Sequence, residues 1–208
     1  MDLLQALVVA LASVGLGALV WAWQRLRLQR ELHDAKEERM LRMLVALHTE
    51  VVVAERYHRA FFSPDAAEQK KRSLLEILRS AEADEPSLPS GAASSGNIIF
   101  DTLRDDLTEL PANLLEPVIE YYLAGEGVAE MMRAFYEGRY EKLRMERREE
   151  ALDAFFLLGA SALDRAVSAE RALRIGIHDQ IDKMADRGIE IKDRTTLIDR
   201  SNDDDGGT

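Results

Sequence analysis

The feature that most constrains this chain is an apolar stretch close to its first residue. Leu3 to Trp23 covers 21 residues, with only Gln5 and Ser13 as polar interruptions. A helix rises about 1.5 Å per residue, so a stretch of this length can cross a hydrocarbon core of about 30 Å. The sequence therefore predicts a transmembrane anchor within residues 1–24, with the lipid bilayer as a partner.

The residues at the end of this stretch predict its orientation. Trp21 and Trp23 suit the interface, where an indole ring lies in lipid and its N–H lies among the headgroups. Arg25, Arg27 and Arg30 follow, whereas no Lys or Arg precedes the stretch. Because basic residues accumulate on the cytoplasmic side, we expect an inner (plasma) membrane protein with its N-terminus outside and its C-terminal domain in the cytoplasm.

A cleaved signal peptide is the competing interpretation of the same segment. A signal peptide has a positively charged n-region and a shorter apolar core. Here the n-region carries no Lys or Arg, and apolar sequence continues beyond Ala10-Leu11-Ala12, which resembles a cleavage site. The sequence therefore favours an uncleaved anchor.

Small residues recur on one face of the predicted anchor. Ala6, Ala10, Ser13 and Gly17 follow at spacings of four, three and four. Small side chains allow two membrane helices to approach closely, which predicts a parallel homodimer through this face. The alternative is that Ala and Gly are simply common in membrane helices.

Beyond the anchor the sequence predicts helices, and the whole chain is predicted to be all-α. The expected fold is an N-terminal transmembrane helix that continues into a cytoplasmic antiparallel helical bundle. Only 12 Gly and 5 Pro occur, which disfavours a turn-rich β architecture. Apolar residues recur every three or four positions through two long stretches. They are Met40, Leu44, Leu47, Val51, Ala54, His58 and Phe61, and then Leu152, Phe156, Gly159, Leu163, Ala166, Leu173, Ile177, Ile181 and Met184.

Proline, glycine and serine predict where these helices begin and end. Ser63-Pro64 favours a new helix, expected to run to Glu82 and to return along the first helix as a hairpin. Further helices are expected from Ile98 to Leu107, from Pro111 to Leu123 and from Val128 to Arg187, the last kinked near residues 141–150. The predicted domains are 1–24 (anchor), 25–83 (stalk helix and returning helix), 84–97 (flexible linker), 98–188 (helical region ending in a long helix) and 189–208 (disordered acidic tail).

Charge and residue types exclude several classes of function. The formal net charge is −11, and an acidic chain repels the phosphate backbone, so no nucleic-acid partner is expected. The chain has no cysteine, which excludes disulfides and thiolate chemistry. Gly125-Glu126-Gly127 lacks the third glycine and the preceding strand of a dinucleotide site, and we expect no cofactor.

Glu55 and His58 form a Glu-x-x-His motif, whose spacing places a carboxylate and an imidazole on one helix face. In helical bundles this motif binds iron or manganese, but such sites need two copies and two further carboxylates. No second copy is present among the four histidines. A hydrogen-bonded core histidine is therefore the favoured interpretation of His58, and a metal site is the alternative.

Aromatic residues are interleaved with carboxylates in residues 100–137. Nine Asp or Glu and two Arg lie between Asp101 and Glu137. Phe100, Tyr121, Tyr122 and Tyr136 are candidates for a docking face that binds a basic protein partner. An acidic surface over an aromatic core is the alternative.

The same region resembles an element of uncharacterised single-pass membrane-anchored helical proteins of proteobacteria and their phages. The resemblance rests on Phe100-Asp101, then Leu110-Pro111, then Val118-Ile119-Glu120-Tyr121-Tyr122, and covers about 25 residues. Leu107-Thr108-Glu109 stands where that family often has a glycine. The resemblance implies an anchor followed by a helical region, and it implies no enzymatic activity.

Two classes of function follow from these patterns. The first is a non-catalytic, membrane-tethered interaction or scaffold protein that self-associates. The second is a metal- or ligand-binding enzyme in the bundle core, with Glu55 and His58 as its nucleus. The first is the prediction and the second the alternative.

Overall fold

Helices alone build the part of the chain for which coordinates are described. The computed structural model describes residues 3–80, 98–140 and 143–189, without the side chains of residues 3–19, 78, 80, 98 and 136. The α-helices are α1 (Leu3–Phe62), α2 (Pro64–Ser80), α3 (Ile98–Leu103), α4 (Ala112–Tyr136) and α5 (Met145–Asp186), with a 3₁₀ turn at Asp106–Glu109. No strand occurs within these three ranges, and the all-α prediction is confirmed.

α1 is a single helix of 60 residues, which corresponds to a rod of about 90 Å. It runs without a break from the apolar stretch into the bundle, as the sequence predicted. It ends before Pro64, which lacks a backbone N–H and suits the first position of a new helix. The amide of Ala67 donates to the carbonyl of Ser63 at 2.8 Å, so α2 begins immediately after the break.

α5 packs antiparallel against α1. At one end Lys183 Nζ, in the last turn of α5, lies 2.8 Å from Glu37 Oε1 on α1. At the other end the ring of Phe62, the last residue of α1, lies 5.2 Å from the ring of Phe155 near the start of α5. The bundle therefore uses α1 only from about residue 37 onward.

α4 also packs antiparallel against α5 and therefore runs in the same direction as α1. Arg165 Nη1 on α5 donates to Glu120 Oε2 on α4 at 2.7 Å. Farther along α4, the ring of Phe135 meets the ring of Phe155 edge to face, with centroids 5.7 Å apart. The long helices thus form a three-helix arrangement in which α5 is the central antiparallel element.

Two buried clusters fill the space between the helices, and most of the predicted apolar positions belong to them. The larger cluster lies between α1, α4, the 3₁₀ turn and α5 and includes Leu44, Leu47, Val51, Leu107, Leu114, Val118, Tyr121, Tyr122, Leu173, Ile177, Ile181 and Met184. The smaller cluster lies at the other end and includes Phe62, Val128, Phe135, Leu152, Phe155, Phe156 and Ala162.

Two glycines of α5 allow side chains of the neighbouring helices to reach its backbone. A Cβ atom at Gly159 would lie 2.1 Å from Cδ1 of Phe62, and one at Gly176 would lie 2.6 Å from Cδ1 of Leu114. These distances are far inside van der Waals contact. The close approach of α1 and α4 to α5 therefore depends on the missing side chains.

The region from residue 112 to residue 187 differs from its prediction. α4 passes through Gly125 and Gly127 to Tyr136, although the helix that begins near Pro111 was expected to end at Leu123. The chain then reverses before α5 begins at Met145, and Gly138 in this link has a φ of 66°, which glycine adopts easily. The expected kinked helix is therefore two antiparallel helices.

α2 does not return along α1 as a hairpin. Lys71 pairs with Asp153, and farther along α2 Arg79 Nη2 lies 2.8 Å from Glu149 Oε1. From residue 71 to residue 79, α2 therefore advances along α5 from residue 153 to residue 149. This direction leads toward the first turn of α5. A hairpin would instead have carried Arg79 back toward the middle of α1.

Some predictions concern parts of the chain outside this description. These parts include the linker at 84–97 and the tail from residue 190 onward. They also include the side chains of Ala6, Ala10, Ser13 and Gly17. Within the described residues, no helix combines the length and the apolar character that crossing a membrane requires. The predicted end of the last helix is confirmed, since α5 ends at Asp186 and Gly188 follows with a φ of 71°.

Candidate functional site

Residues 20–36 of α1 extend beyond the bundle, and we call this segment the arm. Every side chain in the arm is exposed except that of Asp34, which is half-buried. Several of the exposed side chains are large and apolar, namely Val20, Trp21, Trp23, Leu26, Leu28 and Leu32. Apolar side chains of this size without cover mark surfaces that contact another molecule or a membrane.

The predicted interface residues lie at the start of the arm. Trp21 and Trp23 are 60% and 62% exposed. The guanidinium of Arg25 lies 5.2 Å from the ring centre of Trp21, and that of Arg27 lies 5.9 Å from the ring centre of Trp23. A cation over an indole face is attracted by the ring quadrupole. The structure therefore pairs both predicted tryptophans with two of the three predicted arginines.

A buried carboxylate fixes the arm to the bundle at its root. Glu37 is only 5% exposed. Its Oε1 lies 2.8 Å from Lys183 Nζ, 3.2 Å from His33 Nε2 and 3.4 Å from Arg187 Nη1. Gln180 Nε2 donates to Glu37 Oε2 at 2.5 Å and to the backbone carbonyl of Glu37 at 3.2 Å. The C-terminal end of α5 and the residue after it thus hold the point at which α1 enters the core.

The charge of Glu37 is stabilised by these partners. Burial raises the pKa of Glu37, but hydrogen bonds from Lys183 and Gln180 and the charges of Lys183 and Arg187 lower the pKa more. The net pKa is below the ordinary glutamate value of 4.5. The carboxylate is therefore ionised at neutral pH and forms a buried, fully bonded link between α1 and α5.

A second carboxylate, Glu50, connects three helices. Its two oxygens accept the backbone N–H groups of Ile99 and Phe100 at 3.1 Å each, so it caps the first turn of α3. Tyr122 donates its hydroxyl to Glu50 Oε2 at 2.5 Å. Burial, together with the hydrogen bond and charge of Glu50, raises the pKa of Tyr122. α1, α3 and α4 are therefore joined at one side chain.

The structure corrects the predicted aromatic docking face. Tyr121 and Tyr122 are 3% and 2% exposed and belong to the core, so they cannot form a surface. Phe100 is half-buried and stacks on Tyr122, with ring centres 3.8 Å apart. The side chain of Tyr136 lies outside the described residues. An acidic surface over an aromatic core, the alternative from the sequence, agrees with this placement.

Several carboxylates of that acidic stretch are already paired. Arg39 Nη2 lies 2.5 Å from Asp106 Oδ1, Arg165 pairs with Glu120, and Arg133 pairs with Glu130. These pairs are exposed and contribute little to stability. They do reduce the negative charge that remains for a basic partner.

The two residues of the Glu-x-x-His motif have different surroundings in the structure. Glu55 pairs with Arg59 on the same helix. The imidazole of His58 faces aromatic rings, with centroids 5.9 Å from Phe62 and 6.3 Å from Tyr121, and its Nδ1 is buried without a hydrogen-bond partner. Burial lowers the pKa of His58, so the ring is neutral at pH 7. No cluster of three metal-binding side chains occurs among the described residues.

Sequence reasoning missed Glu37 and Glu50, because each has polar partners far away in the chain. One signal was present for Glu37. It lies four and seven residues before Leu41 and Leu44, on the apolar side of α1, where an acidic side chain needs a partner.

Comparisons with known proteins found no matching family model, no matching curated protein and no matching solved structure. The resemblance to membrane-anchored proteins therefore stays a prediction from residues 100–122.

Proposed function

We propose that this chain is a non-catalytic, membrane-tethered interaction protein. Residues 3–23 anchor it in the inner membrane, the arm spaces the bundle from the bilayer, and the bundle presents its surface to partners in the cytoplasm. The observation that carries this proposal is the arm, a helical segment with large apolar side chains exposed along its length.

The sequence on both sides of Trp23 supports the anchor. The apolar stretch is long enough for a hydrocarbon core of about 30 Å. The membrane–water interface favours indoles nearer the lipid and guanidinium groups nearer the cytoplasm. The sequence has this order, with Trp21 and Trp23 followed by Arg25 and Arg27. The 13 residues from Gln24 to Lys36 then separate the interface from Glu37 by about 20 Å.

Self-association and an acidic surface complete the proposal. Positions 17 and 35 are 18 residues apart, which is about five turns of one continuous helix, so both lie on the same side of α1. The small-residue face of the anchor is therefore in register with one face of the arm. The net charge of −11 supports a basic rather than an acidic protein partner.

Membrane extraction tests the anchor. We expect the full chain to float with lipid vesicles and to resist alkaline carbonate. Leu11→Arg/Val14→Arg should release it, because each charge near the centre of the bilayer costs about 3 kcal/mol. The matched control, Leu26→Arg/Gln29→Arg, adds the same charge outside the apolar stretch and should stay bound. Carbonate release of the unaltered chain would overturn the proposal.

A further inference from the structure

In the half of the arm nearer the bundle, residues 27–36, the exposed apolar side chains share one side of the helix, whereas Val20, Trp23 and Leu26 in the other half point to other sides. Trp21, Leu28, Leu32 and Ala35 follow at spacings of seven, four and three, which places them on one face. Leu28 and Leu32 are 57% and 64% exposed. Nothing in the described chain covers this face, which we call the outer face.

The outer face points away from the bundle. Leu28 and Glu37 are nine residues apart, and so are Ala35 and Leu44. Nine residues are about two and a half turns, so the members of each pair point to opposite sides of α1. Since Glu37 and Leu44 are buried against the bundle, another helix can approach the outer face between Trp21 and Ala35. The free face ends there, because Arg39, four residues further, pairs with Asp106 of the 3₁₀ turn.

We propose that the arm pairs with the arm of a second copy of this chain as a parallel two-stranded coiled coil through the outer face. This inference rests on the proposed function, in which the anchor places both copies in one membrane with the same orientation. The alternating spacings of four and three are those of the core positions of a coiled coil.

Charge at the edges of the outer face favours a parallel partner. Glu31 and Lys36 flank the seam and are five residues apart, the separation at which flanking residues of parallel strands meet across the dimer. Both are exposed, with side chains 58% and 62% accessible, and each lies near a charge of its own chain, Glu31 at 2.9 Å from Arg27 and Lys36 at 3.8 Å from Glu109. Exposed pairs of this kind contribute little to stability and can exchange for pairs across a dimer. In the antiparallel arrangement, acidic flanking positions would instead face one another.

The bilayer surface is the other possible cover for the arm, and the arginines disfavour it. A helix that lies on a membrane keeps its cations on one side and its apolar residues on the other. Arg27 and Arg30 are three residues apart and lie on neighbouring sides away from the outer face, whereas Arg25 lies three residues before Leu28 and therefore falls on the apolar side. Arg25 lies within the seam, but its guanidinium reaches back over the Trp21 ring.

Cysteine cross-linking tests the coiled coil, because the chain has no native cysteine. Leu28→Cys and Leu26→Cys form a matched pair, since both leucines are 57% exposed and only Leu28 lies on the outer face. Each full-length variant is placed in phosphatidylcholine–phosphatidylglycerol vesicles at lipid excess and oxidised with copper phenanthroline. We expect a disulfide dimer with Leu28→Cys and with Ala35→Cys, and monomer with Leu26→Cys.

Charge exchange tests the orientation. In the Leu28→Cys background, Glu31→Lys should reduce the dimer yield, and Glu31→Lys/Lys36→Glu should restore it. Equal cross-linking of Leu28→Cys and Leu26→Cys would overturn the coiled coil, and so would protection of Leu28→Cys by lipid without a dimer. If the chain floats with vesicles but does not cross-link, the anchor is supported and the coiled coil is wrong. If it cross-links but does not float, the coiled coil is supported and the anchor is wrong.

Discussion

Glu37 shows how one side chain can hold two parts of the molecule together. It is acidic and nearly inaccessible, and its carboxylate accepts from Gln180 and Lys183 in the last two turns of α5 and from Arg187, the residue that follows α5. Without this carboxylate the buried amide of Gln180 loses its charged partner, and a buried polar group that loses its partner costs more than the net value of the bond itself. Lys183 and Arg187 are 49% and 40% exposed, so they can bond to water instead.

Glu37→Gln should destabilise the bundle in a pH-dependent way. Folding lowers the pKa of Glu37, so the ionised carboxylate stabilises the fold above its unfolded pKa. This contribution is lost as the pH falls through the folded pKa. At pH 7 we expect a decrease of about 1–3 kcal/mol in the free energy of unfolding, measured with urea.

The difference between Glu37→Gln and the unaltered chain should shrink below the ordinary glutamate pKa of 4.5. Glu38→Gln is the control, because Glu38 is the next residue and makes only an exposed pair with Arg42. It should change the stability by less than about 0.5 kcal/mol. An equal effect of both substitutions at pH 7 would contradict the role assigned to Glu37.

At the scale of helices, Gly159 sets how closely α1 and α5 approach each other. Gly159→Ala should cost about 1–3 kcal/mol, because the new Cβ would lie 2.1 Å from the Phe62 ring. Gly125→Ala is the control: it lies inside α4 with no atom within 4 Å of an added Cβ. That substitution should stabilise the fold by up to about 1 kcal/mol.

Thermal and urea unfolding of the two alanine variants distinguish these expectations by sign. Opposite changes in the midpoint support the close approach at Gly159. If Gly159→Ala were as stable as the unaltered chain, Phe62 would not be confined there.

The helices that were predicted correctly are those whose ends depend on local chemistry. Pro64 lacks an N–H and starts α2, and Gly188 adopts a positive φ and follows α5, so both boundaries could be placed from neighbouring residues alone. The apolar periodicities of α1 and α5 likewise identified most core positions.

What the sequence could not show depends on distant residues. Gly125 and Gly127 each weaken a helix by about 1 kcal/mol, but α4 stays intact because Tyr121, Tyr122, Val128 and Phe135 are buried beside them. The partners of Glu37 at the end of α5 lie 143 to 150 residues away, so their pairing cannot be recognised in a local window. Tyr121 and Tyr122 were assigned to a surface because nothing nearby in sequence indicated Glu50.

At the scale of the whole molecule, the arm and the bundle are predicted to be energetically separate. Deleting residues 1–30 should change the free energy of unfolding of the bundle by less than about 0.5 kcal/mol, because residues 20–30 are exposed. Both proteins are compared in the same detergent.

Deleting residues 1–38 provides the matched comparison. It removes Glu37 and leaves Lys183, Gln180 and Arg187 without their carboxylate, so it should destabilise the bundle. If the shorter deletion were as harmful as the longer one, the arm would contribute to the fold.

The bonds at Glu37 also determine where attached probes would lie. Because Arg187 is within 3.4 Å of Glu37, Ile189 lies beside the root of the arm. A fluorescent protein fused after residue 189 would therefore lie beside the arm, in the space that the proposed coiled coil assigns to a second copy. Reporters for imaging this protein are better inserted at the reversal near Gly138, at the opposite end of the bundle.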